Sequence, residues 1–276
     1  MRFLNAAKAF DKTPVYNAYT SRALYKGQMG AFETSNSEGS IAKRRVFSLA
    51  PGLAIPARRC ISWLDEVWIV GDGSVDGFSS AVRQSFWVRK SSESLTIRTP
   101  SQVVLASGGT AAYAQLEYLK DTVNPTSDAD YDPQYEIFFA SDETLSKGYF
   151  LVGSSGVYRV RSVYLHLAGF NTAVSDKLDV TAPATATFTT GAYVPATDTY
   201  SSASTSVSSL EIDRNKLYSL KTEADESYMA GDKTLLVSKT QITPTVGQEL
   251  TYNSLPWRVQ QVTSEQDAWA LHIRRR

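Results

Sequence analysis

The stretch from Asp232 to Arg276 constrains this chain most, because it reads as an unbroken succession of short strands and tight turns. It runs DKTLLVSKTQITPTVGQELTYNSLPWRVQQVTSEQDAWALHIRRR. Leu235 to Val237 is apolar, Pro244 and Gly247 mark a turn, and Glu249 to Tyr252 begins a strand that Asn253 and Ser254 fold back into Trp257 to Val262. A second turn at Ser264 to Asp267 leads into a closing strand, where Trp269, Leu271 and Ile273 alternate with Ala270, His272 and Arg274. A period of two is expected when one sheet face is buried. It assigns Trp257, Val259, Trp269, Leu271 and Ile273 to the core of a C-terminal domain, which ends on Arg274, Arg275 and Arg276.

Upstream, Arg2 to Lys12 reads as one or two helical turns or as a loose arm, stopped by Pro14. Strands follow at Arg45 to Leu49, Ile55 to Trp63, Val67 to Val70, Val82 to Val88 and Leu95 to Arg98, separated by Pro and Gly turns. Gly108-Gly109-Thr110 then introduces Ala111 to Lys120, where Tyr113, Leu116 and Leu119 lie three apart, a spacing that predicts a short helix near 110–120. Further strands are expected at Tyr135 to Ala140, Tyr149 to Val152, Val157 to Val163 and Tyr164 to Leu167. The fold class is therefore mainly β, with antiparallel barrel or sandwich domains and one or two short helices. We place the domain boundary near Leu178, giving an N-terminal β-rich domain over 1–177 and a C-terminal β-barrel domain over 178–276. Residues 181–209 are rich in Ser, Thr and Ala, which suggests a long mobile loop, while Phe188, Tyr193 and Tyr200 argue against full disorder. The aromatic-x-Val element of the C-terminal hairpin, Trp257-Arg258-Val259, recurs in upstream hairpins at Trp68-Ile69-Val70 and Tyr158-Arg159-Val160. Repeated β-modules and independent hairpins of similar chemistry both account for it.

The C-terminal order of strand, Pro and Gly turn, strand, short turn, aromatic-x-Val and closing strand with a basic end resembles the head-tail joining proteins of tailed bacteriophages, the stopper or head-closure family. Gly247 to Tyr252 running into Trp257-Arg258-Val259 matches that family's hairpin. Gly191-Ala192-Tyr193-Val194-Pro195-Ala196-Thr197 looks like its Gly-x-Tyr-x-Pro-x-Thr loop, with Leu210-Glu211-Ile212 as the returning strand. The resemblance covers residues 178–276. It implies a virion protein of the neck that forms a ring between portal and tail, lines or closes the DNA channel, and is assembled in the host cytoplasm. A homo-oligomeric ring of six or twelve copies, the portal or adaptor protein, tail proteins and transient non-specific contact with genomic DNA are the partners it implies. The N-terminal part lies outside the pattern, so a different tail, collar or adhesin component and a tail-associated depolymerase stay as alternatives.

The residues themselves carry little catalytic chemistry. Only His166 and His272 exist, each expected on a sheet face, and Gly153-Ser154-Ser155-Gly156 has the spacing of a hairpin turn rather than of a nucleophile elbow. Gly71-Asp72-Gly73 lacks the third glycine and following helix of a dinucleotide fingerprint. Asp128, Asp130 and Asp132 alternate like calcium ligands, but Pro133 stands where the loop needs Gly and Phe139 where it needs Glu, so they read as solvated acids. The single Cys60 excludes an internal disulfide and fits a reducing compartment. No enzyme activity, metal or cofactor is expected.

Lys plus Arg and Asp plus Glu both total 28, so no net field draws the molecule to nucleic acid. Local patches carry the polar interest instead: Lys43-Arg44-Arg45, Arg58-Arg59 and Arg274-Arg275-Arg276. They read either as protection of sheet edges or as contacts to DNA phosphates or an acidic neighbour. With Tyr193 and Tyr200 on the long loop, Lys43, Arg44, Arg45, Arg274, Arg275 and Arg276 form the candidate interface or channel set. No signal peptide, membrane span or membrane anchor is expected.

Overall fold

The computed structural model describes residues 14–26, 28–32, 44–49, 54–74, 84–119, 134–180, 182–191, 193–196, 199–200, 203–212 and 229–276. The expectations for Arg2 to Lys12, Lys43 and Asp128 to Asp132 lie outside them. Mainly antiparallel β-structure fills the described chain. The first strands are β1 (Pro14–Asn17), β2 (Ala23–Lys26), β3 (Gln28–Phe32), β4 (Arg44–Leu49), β5 (Cys60–Trp63), β6 (Glu66–Ser74) and β7 (Gln84–Lys90), in one sheet of order β2-β1-β5-β6-β7-β4-β3. Next come β8 (Glu93–Arg98), helix α1 (Pro100–Val104), β9 (Thr110–Tyr118), β10 (Gln134–Phe139), β11 (Phe150–Gly153), β12 (Gly156–Leu165) and β13 (Asn171–Leu178), whose strands close a barrel in the order β10-β13-β12-β11-β8-β9. The last are β14 (Ala184–Thr189), β15 (Tyr193–Val194), β16 (Thr199–Tyr200), β17 (Ser204–Glu211), β18 (Lys233–Ser238), β19 (Glu249–Tyr252), β20 (Leu255–Glu265) and β21 (Ala268–Arg275). Six of these close a second barrel, β14-β17-β18-β21-β20-β19, and β15 and β16 pair as a separate ribbon.

One topology underlies all three assemblies. With the barrel strands lettered a to f in chain order, both barrels follow the cyclic order a-b-c-f-e-d, where a to f are β8 to β13 in the middle barrel and β14, β17, β18, β19, β20 and β21 in the last. The N-terminal sheet follows it too, with β1 as a, β4 as c and β5, β6 and β7 as d, e and f. Its strand b is divided into β2, paired with β1, and β3, paired with β4. The aromatic-x-Val elements that begin at Trp68, Tyr158 and Trp257 fall on strand e, at equal distance from a two-residue d–e turn. Trp68, Val70, Tyr158, Val160, Trp257 and Val259 are all buried. Repeated modules, rather than independent hairpins, account for the three elements.

Details of the d–e hairpin recur as well. Gly148 and Gly247, at φ 88° and 85°, each precede strand d. The amide of each donates to the valine carbonyl of strand e, Val160 or Val259, at 2.8 Å. Arg58 holds the same place in the first module at φ 62°, and there the Arg59 Nε reaches the Val70 carbonyl at 3.3 Å instead. Leu64 and Asp65, like Asn253 and Ser254, take φ of 50° and 60°, the left-handed pair of a two-residue hairpin turn.

The chain divides into two compact units, one of 1–95, 111–146 and 162–175 and the other of 96–110, 147–161 and 176–276. In the first, Val15, Phe47, Ile61, Trp68, Val70 and Val88 form the interior of the N-terminal module. In the second, the last barrel is filled by Ala186, Phe188, Val207, Leu235, Val237, Leu250, Tyr252, Trp257, Val259, Leu271 and Ile273. Burying each large side chain contributes about 1.5–3 kcal/mol, so this interior is the main stabilising element of the barrel.

Three expectations need correction. Residues 110–118 are strand β9, not a helix. Gly108 and Gly109, at φ 70° and 96°, release the chain extended, and Leu116 pairs with Ile137. Barrel pairing overrides the three-residue spacing, because a helix there would leave β10 without its neighbour. The helix lies earlier, at α1, where Thr99 accepts from the Gln102 amide and Gln102 from the Thr99 amide in a capping box, with Pro100 in the first turn. Residues 181–209 are not one long loop: β14 and β17 pair over six residue pairs, Ala186 and Phe188 point inward, and only the a–b connection between Thr189 and Ser204 remains, itself carrying the β15–β16 ribbon. Finally, β21 is not one-faced. Leu271 and Ile273 are core and Trp269 packs half-buried against them, yet Ala270 and His272 are buried as well. Ala270 is covered by Val103 and Val104 of α1 together with Leu236, Leu210 and Phe150.

Candidate functional site

The basic residues singled out by sequence are mostly engaged within the fold wherever they are described. Arg58 stacks its guanidinium 4.0 Å over the Tyr19 ring and pairs with Glu143 at 2.7 Å. Arg59 donates to the Gly71 carbonyl at 2.7 Å and lies 3.1 Å from Asp72. Arg274 does not project from the C-terminus: its Nη2 sits 2.8 Å from Asp232 Oδ2, and its Nε is 3.1 Å from Oδ1. Arg276 is exposed and meets Glu249 at 2.7 Å, and Arg275 is exposed beside it. Arg44 and Arg45 lie on β4, where they pair with Arg89 and Val88 of β7; Lys43 and the side chains of Arg44 and Arg45 fall outside the described residues. Tyr193 and Tyr200 are brought opposite each other across the β15–β16 ribbon.

Asp232 is the centre of a buried titratable cluster in the last barrel. Its side chain is 3% exposed and accepts from His272 Nε2 at 2.8 Å and from the Met229 amide at 2.8 Å, besides Arg274. Burial alone would raise its pKa, but the Arg274, Met229 and His272 hydrogen bonds outweigh it and hold the carboxyl down at about 2. An acid so far below neutral and so fully bonded is a structural anion. Beside it opens a cleft of about 480 Å³ lined by Met229, Asp232, Lys233, Leu255, Trp257 and Arg275 among others. Lys233 pairs with Glu211 at 2.5 Å, and the Trp257 indole donates to the Tyr252 carbonyl at 3.0 Å. The cleft thus offers an apolar wall with a cationic rim at Arg275, suited to binding rather than to proton transfer.

Two further clusters were invisible in the sequence. In the first unit, Tyr19 OH lies 3.3 Å from Glu143 and 3.8 Å from Cys60 Sγ, and receives the Tyr113 amide at 3.3 Å. Burial chiefly pushes the Cys60 thiol up to about 12, so it stays protonated and unreactive. In the second unit, Arg159 and Glu265 form a 2.8 Å ion pair with side chains 1% and 8% exposed. The one sequence signal for Arg159 was a charged residue at the centre of an aromatic-x-Val strand. His166 packs edge-on against Phe138, and its Nδ1 accepts from the Ala168 amide at 3.1 Å. Gly153 to Gly156 forms the β11–β12 turn. Among the described residues, no cluster of three or more His, Cys, Asp or Glu could hold a metal ion, and no helix is long and apolar enough to cross a membrane.

Comparison of the chain with protein-family models, with curated proteins and with solved structures finds no match.

Proposed function

We propose that this chain is a structural protein of a tailed-phage virion, working in the neck as a ring that joins the head to the tail around the DNA channel. The observation that carries the reading is the layout of the last barrel. The Gly191 to Thr197 segment joins the paired strands β14 and β17, and Gly247 to Tyr252 runs through the Asn253-Ser254 turn into Trp257-Arg258-Val259, as the stopper resemblance requires. Binding and assembly are favoured over catalysis because Asp232, Glu143 and Glu265 are each neutralised by an arginine inside the fold. In this reading the β15–β16 ribbon and the exposed Arg275 and Arg276 meet the portal or tail partner. Closed rings of six or twelve copies arise from heterologous contacts between identical chains.

The threefold repetition of one barrel topology favours a second reading, a distal tail, collar or adhesin component built as a string of β-modules. Native mass spectrometry of the protein, alone and with portal and tail proteins, separates the two. A ring that binds the portal supports the neck; binding to tail proteins alone supports the tail component. A monomer that ignores both sets of partners refutes the virion assignment.

A further inference from the structure

The repeat makes the outer face of strands d and e comparable in all three modules. In the first module that face carries Cys60, Ser62, Val67 and Ile69, and Cys60 and Ile69 are buried under Phe138, Ala140, Ala168 and Phe170. Two of these covering residues, Ala168 and Phe170, belong to the e–f connection of the next module, and the Asp72 amide donates to the Gly169 carbonyl at 2.9 Å. In the second module the face carries Phe150, Val152, Val157 and Arg159. Phe150 is buried, and Arg159 is met by Glu265 at the e–f turn of the third module, while the Gln266 amide group donates to the Lys147 carbonyl at 2.5 Å. The a–b connection takes part both times. Tyr19 bonds to Glu143 and Tyr113. Asp267 receives the Thr99 hydroxyl at 2.5 Å and the Ser101 amide at 2.9 Å at the start of α1. Each time, an arginine of the covered module meets a carboxylate of the module that covers it.

In the third module the equivalent positions are Glu249, Thr251, Pro256 and Arg258, and they are not covered. Thr251 and Pro256 are exposed, Val246 is 67% exposed, and Arg258, in the place of Arg159, is 48% exposed and only 3.2 Å from its own neighbour Glu249. Arg276 adds a second cation at the same glutamate. The a–b connection here carries the β15–β16 ribbon in the chain position of α1.

We propose that this outer d–e face of the third module is a docking surface for an acidic β-turn of a different protein, whose carboxylate takes Arg258 from Glu249 as Glu265 takes Arg159. The face continues a contact the chain already makes twice, and its exposed cations supply the complementary charge. The proposal does not depend on where the protein works, so it stands or falls apart from the neck reading.

The test uses the full chain and a disulfide-closed hairpin peptide with the sequence of residues 258–274, which presents Glu265, Gln266 and Asp267 at its turn. Titration followed by fluorescence anisotropy is expected to show binding that weakens as salt is added. Arg258→Glu should weaken it at least tenfold, as should Glu265→Gln with Asp267→Asn in the peptide. Arg258 is exposed, so the variant is expected to stay folded, which circular dichroism checks. No binding, or binding indifferent to Arg258→Glu, overturns the proposal. Concentration-dependent self-association of the chain that is lost in Arg258→Glu overturns it as well, by making the occupant a second copy.

Discussion

Asp232→Asn tests the electrostatic account of the last barrel most directly. The native carboxylate is held at about 2 against an ordinary value of 3.8 by Arg274, the Met229 amide and His272, with burial working in the opposite direction. A depressed folded-state pKa stabilises the fold fully above the unfolded value and loses that contribution as pH falls through the folded value. The difference corresponds to about 2.5 kcal/mol, or about sixtyfold in an opening equilibrium, present from about pH 5 upward and mostly gone near pH 2. Because the chain has two compact units, a global unfolding midpoint would mix them. Hydrogen exchange of β18 and β21 amides reads the relevant opening locally. Protection in the native protein should exceed that in Asp232→Asn about sixtyfold at pH 7, and the two should converge as pH approaches 2. Equal protection at pH 7, or a gap that persists unchanged at pH 2, would refute the assignment of Asp232 as a stabilising anion.

The buried Arg159–Glu265 pair should behave as a unit. Arg159→Met or Glu265→Gln alone removes half of a buried ion pair and should cost about 3–5 kcal/mol, whereas the combined variant should cost less than either, which a double-mutant cycle measures. At Gly71 an added Cβ would stand 2.2 Å from the Ala168 carbonyl oxygen, so Gly71→Ala should loosen the first unit, seen as faster proteolysis of that unit while the other stays protected. Trp257→Asp should abolish the cooperative melt of the last barrel, since its side chain is 3% exposed inside the core; a variant that melts like the native protein would remove Trp257 from it. Replacing Arg275 and Arg276 together by alanine should leave the melting temperature within about a degree, because both side chains are exposed and the backbone pairing of β21 is kept. Arg274→Ala should lower it, because Arg274 bonds Asp232.

Sequence by itself determined the alternation and the turns. Asn253-Ser254, Gly153 to Gly156 and Ser264 to Asp267 fold hairpins wherever they occur, since backbone conformation and a period of two are local properties. Trp257, Val259, Leu271 and Ile273 could be placed in a core for the same reason. Tertiary structure decided what local patterns leave open. Residues 110–118 became a strand because a barrel needed its edge paired, and the Ala and Thr of 184–189 became wall because Phe188 had an interior to enter. The fate of the cations was equally non-local. Arg274 is adjacent in sequence to Arg275 and Arg276, yet it is bonded inward because Asp232, 42 residues earlier, ends up beside it just before the neighbouring strand β18. That three modules share one strand order could be glimpsed in the repeated aromatic-x-Val, but only pairing between distant strands established it, because strand order is a property of contacts and not of spacing.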